Sequence, residues 1–105
     1  MIIHKDVYLG ESIIPKQKKI INKLKKNKYV FGKKILVLSK NKHDMIEIFP
    51  SYVFSQAYYK KADYVVVGVC SNNYELNQML LQMLEDSYKN TNSYNIKNYF
   101  NLLVS

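Results

Sequence analysis

Arginine and tryptophan are missing from this sequence, and cysteine occurs once, proline twice and glycine three times in 105 residues. A single cysteine excludes an internal disulfide and every all-cysteine zinc or iron–sulfur site built within one chain. Gly10, Gly32 and Gly68 stand too far apart for a P-loop or a dinucleotide fingerprint, whose phosphate cradles need glycines at short fixed spacing. The longest unbroken apolar stretch, residues 64–70, falls far short of the roughly 20 residues that cross a bilayer. The first residues, Met1 to Asp6, lack the charged-then-apolar layout of a secretory leader, so a cytoplasmic protein is the expectation. Without arginine the chain also lacks the planar fork that grips phosphates and guanine edges two-handed, the usual means of sequence-specific reading.

What is present is lysine. Sixteen lysines against eight acids give a formal charge of +8, unevenly placed. Residues 1–61 hold fourteen lysines and four acids, whereas residues 62–105 hold two lysines and four acids. A field with a basic front half attracts nucleic acid, anionic lipid or an acidic protein surface. Lys, Asn, Ile and Tyr fill 47 of the 105 positions, and an AT-rich genome would impose the same bias without any function. Hydrophobic residues at 48% and charged residues at 23% are close to globular averages, and the length suits a single domain over residues 1–105.

Along the chain, Asp6-Val7-Tyr8-Leu9 reads as a strand closed by Gly10. Ser12 is positioned to cap a helix with Pro15 in its first turn, and Ile13, Gln17, Ile20, Ile21 and Leu24 fall on one side of it. Lys16, Lys19, Lys23 and Lys26 fall on another. Ile35-Leu36-Val37-Leu38 is an apolar run expected of a strand covered on both faces. Asp44 and Glu47 have capping-box spacing, which makes 45–49 a helical turn; loose alternation over the same residues gives a competing strand paired with 35–38. After Pro50, Val53, Phe54, Ala57, Tyr58 and Lys61 keep helical spacing. Residues 64–70 form the clearest central strand, and Asn72 with Glu75 caps a helix running to about Tyr88 or Lys89. Ile96, Tyr99, Phe100 and Leu103 predict a short docking helix at the end.

This order predicts an α/β fold: a small βαβαβα unit of two or three layers with a mostly parallel three-stranded sheet and a C-terminal helix. In such a sheet the loops at the strands' carboxyl ends share one rim, where ligands meet helix N-termini. That rim would gather Ser12, then Lys40, Lys42 and His43, then Cys70, Ser71 and Asn72, which are the candidate ligand-binding residues. Lys40 and Lys42 beside a capped helix would hold a phosphate, although solvated loop lysines read the same. Cys70 at a strand end is a nucleophile if His43 or His4 serves as its base, and a small buried hydrophobe otherwise. His43 and His4 lack zinc-like spacing. Glu11, Asp44 and Glu75 offer carboxylates, of which two are explained as cap or first-turn acids.

Ten tyrosines, with Tyr52, Tyr58, Tyr59 and Tyr64 near Lys60 and Lys61, fit a stacking platform for single strands or a protein interface. The lysine-rich helix would also suit an anionic membrane, yet its apolar side is narrow and lacks Phe or Trp. The expectation is a non-enzymatic, self-associating interaction protein, without cofactor or metal, that meets an acidic partner through its basic surface. The alternative is a nucleic-acid-binding accessory protein contacting phosphates through Lys16, Lys19, Lys23 and Lys26.

Overall fold

The computed structural model describes residues 1–28, 30–38, 46–55 and 64–104. Strands β1 (Ile2–Leu9), β2 (Lys34–Leu38), β3 (Ile46–Pro50) and β4 (Val65–Cys70) form one four-stranded sheet in the order β1-β4-β2-β3. Helix α1 (Gln17–Lys25), entered through a 3-10 turn at Ile14–Lys16, covers one face. Helices α2 (Asn73–Thr91) and α3 (Ile96–Val104) lie on the other.

The valine run of β4 explains the centre. Val66, Val67, Val69 and Cys70 are fully buried, which requires apolar cover on both sides of the strand. On the α1 face Val66 and Val69 join Ile35, Val37, Ile20, Leu24 and Ile13. On the opposite face Val67 and Cys70 join Leu36, Met79, Met83 and Phe100. Leu36 pairs with Gly68 but Val37 pairs with Val66, so Val67 is an extra, bulged residue in β4. The bulge brings Gly68 against α2, where a Cβ would stand 2.6 Å from Met79 Sδ and 3.3 Å from Leu36 Cβ. Glycine at this point lets helix and sheet approach.

The sheet differs from the expected one. It is mixed and four-stranded: β4 runs parallel to β1, while β2 runs antiparallel to both β4 and β3. Residues 46–50 form the strand of the competing reading, pairing Leu38 with Ile46 and Lys34 with Pro50. Pairing with β2 decided the matter: Ile46 is covered on one face of the sheet and Phe49 on the other, while Ile48, on the face of Ile46, stays 43% exposed on this edge strand. Pro50 is tolerated there because it ends an edge strand. β1 is longer than 6–9, beginning at Ile2, with a register irregularity between Ile3 and Tyr8. Residues 51–55 form a 3-10 helix, and the rest of the helix expected after Pro50 lies outside the described residues.

The second half of the chain follows its pattern. Asn72 Oδ1 accepts from the Glu75 backbone N–H at 2.9 Å, and α2 ends at Asn92, in the left-handed region at φ 56°. On α3, Phe100 meets His4 edge-on with ring centroids 5.1 Å apart. His4 is buried: its Nδ1 accepts from the Asp6 backbone N–H at 3.0 Å, so its Nε2–H donates to the Phe100 carbonyl at 3.2 Å. This bond ties β1 to the last helix.

Substituting Gly68→Val will push Met79 and Leu36 out of place and destabilise the protein by about 1–3 kcal/mol. Urea unfolding followed by circular dichroism checks this, as a lower midpoint at unchanged slope.

Candidate functional site

The parallel pair β1 and β4 ends on one rim, with Leu9 opposite Val69. Gly10 continues the pairing, its N–H donating to the Val69 carbonyl at 2.9 Å, and the chain turns into Glu11 and Ser12. Next to it β4 delivers Ser71 and the capped start of α2.

Glu75, in the first turn of α2, joins the two loops. Its Oε1 accepts from the Ser12 hydroxyl and the Ser71 backbone N–H, each at 2.8 Å, and its Oε2 accepts from the Ser12 backbone N–H at 2.9 Å. The Ser12 and Ser71 hydroxyls are 2.6 Å apart. With Ser12 Oγ–H committed to Glu75, Ser71 is the donor of that pair. Gly10 makes room, since a Cβ there would meet Glu75 Oε1 at 2.5 Å. Desolvation works to raise the Glu75 carboxyl, but the Ser12 and Ser71 donors and the charge of Lys33 outweigh it, leaving the group below its ordinary value. With its proton affinity lowered and both oxygens engaged by donors, this carboxylate is a weak general base; it is a tie between two loops.

Cys70 sits beside this cluster with its thiol fully buried. Burial, with a smaller contribution from the Glu75 charge, pushes the thiol up to about 11, against a lowering by Lys34. It is therefore protonated at neutral pH and does not have the thiolate that nucleophilic attack requires. His4 stands on β1 next to Ile3, which pairs with Val66, at the other end of the sheet.

Of the residues expected on the rim, Ser12, Ser71 and Asn72 come together around Glu75, and Cys70 lies beneath them. Ser12 does not cap α1; the 3-10 turn and α1 both start without a side-chain cap, and the Ser12 side chain is spent on Glu75. Lys40, Lys42 and His43 lie outside the described residues. Because β2 runs antiparallel to β4, it ends at Leu38, beyond Val37, the partner of Val66, at the end of the sheet opposite Cys70. A common border formed by three parallel strands is thus not what this sheet provides. In its place the reversal brings the start of β2 to the rim, with Lys34 paired to Cys70.

A cleft of about 330 Å³ opens between the end of β1 and α2, lined among others by Tyr8, Glu11, Tyr74, Glu75, Gln78 and Gln82. The Tyr8 hydroxyl donates to Asp86, which also accepts from Gln82 Nε2 at 2.9 Å. Burial and then the bonds to Asp86 and Tyr99 hold the Tyr8 phenol well above its ordinary range, so it transfers no proton near neutrality. The cleft is acidic and hydrogen-bonding in character. Among the described residues no cluster of three His, Cys, Asp or Glu is arranged to hold a metal ion.

The lysine face is the other candidate. Ile20 and Leu24 of α1 are consumed by the core, while Lys16, Lys19 and Lys26 are exposed and Lys23 is half-buried. Among the described residues no carboxylate lies within 4.0 Å of an α1 ammonium. No helix among the described residues is long and apolar enough to cross a membrane. Of the tyrosines singled out, Tyr52 is exposed and Tyr64 is buried against Phe49 and Phe54; Tyr58 and Tyr59 lie outside the described residues, as do Lys60 and Lys61. Comparison with family models, curated proteins and solved structures finds no match.

Glu75→Gln will place an amide NH2 against a donor whichever way it turns, at a cost of about 1 kcal/mol for so solvated a site. The native carboxylate contributes stability above its unfolded value near 4.5, lost as pH falls through the lower folded value. The variant will accordingly show a shallower loss of stability below that pH in urea titrations.

Proposed function

We propose that this is a non-enzymatic binding protein that docks an acidic partner on the lysine face of α1. The observation carrying this reading is the division of labour on that helix. Its apolar side is used up by the protein's own core, so the outward lysines neither serve the fold nor pair with a described carboxylate. The chemistry of the rim supports the same reading by what it contains: a carboxylate tied to two loops and held ionised, a protonated buried thiol and a phenol held above its range.

An acidic protein surface is the first partner considered. Nucleic-acid phosphates are the second, favoured by the single row of Lys16, Lys19, Lys23 and Lys26 at intervals of three and four residues along α1 and its flanks. Self-association is proposed through the outer strands β1 and β3, where Ile2 and Ile48 are exposed.

Fluorescence anisotropy with a labelled polyglutamate peptide and a labelled DNA duplex tests the reading, across a potassium chloride series. The wild type will bind at least one probe at low salt with log-linear weakening, and Lys16→Glu/Lys19→Glu/Lys26→Glu will abolish binding without loss of folded signal. Absence of binding to both, or equal binding by the charge-reversed protein, sinks it. Light scattering on the same samples will read a dimer mass if the outer strands pair.

A further inference from the structure

Helix α2 turns Met79, Met83 and Ser87 into the protein. On its opposite side Tyr74, Leu81 and Tyr88 are 72%, 58% and 48% exposed. They recur every seven residues, an interval over which a helix drifts only about 20°, so the three form one stripe down a helix of 19 residues. Tyr94, 59% exposed, stacks on Tyr88 with ring centroids 4.8 Å apart and widens the stripe at its end. Single apolar side chains on a surface are ordinary, but a row along a whole helix has the form of a helix-packing seam.

Two features select a second copy of this chain as the cover for that seam. The first is order. Tyr74 and Tyr88 stand seven residues to either side of Leu81, so a two-fold axis at Leu81 lays two α2 helices antiparallel, each Tyr74 beside Tyr88 of the other copy. The second is charge. Antiparallel pairing brings exposed Lys89 to the start of the other copy's α2, where Tyr74 shares a cleft with Glu11 and Glu75. It also brings Glu85 level with Gln78 of the other copy, an acceptor against an amide donor, while the two Glu85 side chains stay ~12 Å apart along the seam. A chain of net charge +8 repels its own copy over most approaches, whereas α2 carries three acids and one lysine.

We propose that two copies of this chain pair antiparallel through α2, with Leu81 on the two-fold axis. The pairing is independent of the lysine-face docking, since α1 lies across the sheet and stays on the outside of the dimer. It gives self-association a surface other than the outer strands.

Sedimentation equilibrium over a concentration series provides the test. The wild type will show a dimer, Leu81→Glu a monomer, and Ile2→Glu/Ile48→Glu a dimer still. Lys89→Glu will weaken the dimer about fivefold. Under mild oxidation Leu81→Cys will cross-link to its own copy and Tyr74→Cys will not, a pattern that a parallel pair cannot give. Every substituted position is exposed, and thermal unfolding verifies that the variants stay folded. A wild type that is monomeric throughout the series, a Leu81→Glu protein that keeps the dimer mass, or cross-linking of Tyr74→Cys to itself overturns the inference. None of these results touches the lysine-face reading, which polyanion binding alone decides.

Discussion

Burial of β4 from both faces is the constraint on which the rest of this structure depends. A strand of Val66, Val67, Val69 and Cys70 with no accessible surface cannot be covered by one layer. The sheet must carry helices on each side, and each helix must turn its apolar stripe inward. Charge then has one direction left. The lysines of α1 point away from the sheet on one side, and Glu75, Glu85 and Asp86 belong to the helix on the other. The asymmetry written along the chain becomes an asymmetry through the thickness of the molecule.

The same strand fixes the rim. β4 ends where β1 ends, and Glu75 fastens the two departing loops by taking three donors on two oxygens. The donors that make this tie firm also weaken it as a base, since they stabilise the ionised form and lower its affinity for a proton. Beside this tie the rim keeps the cleft between β1 and α2 and the flank built by the hairpin, where half-buried Lys33 and Lys34 enter β2 near Pro50 and Ser51.

Much of this was legible in the residues, and the parts that were not share a physical cause. The central strand declared itself through an uncharged β-branched run, and the α2 cap through Asn72 and Glu75, because both signals are local. The direction of β2 was not local. Asp44 and Glu47 have the spacing of a capping box, while Ile46, Ile48 and Phe49 fit a half-buried strand nearly as well; pairing with β2, with Ile46 covered on one face of the sheet and Phe49 on the other, settled it. Once β2 reverses, its start reaches the rim and its end, at Leu38, stands at the far end. Hence Ser12, Ser71 and Asn72 were readable as rim residues, and Phe31, Lys33 and Lys34 were not. Ser12 shows the limit of motif reading at a single residue: a serine before a proline-led turn looks like a cap, yet a carboxylate 63 residues away competes for its hydroxyl and wins.

A surface made of lysine alone bears on how any partner would be held. Ammonium groups act as mobile point charges on flexible stems; they concentrate an anion near the surface without fixing its orientation. Orientation has to come from something rigid. At the root of the hairpin the backbone beside the lysines is rigid, because Ser51 donates its N–H to the Lys33 carbonyl and its hydroxyl accepts from the Lys33 N–H.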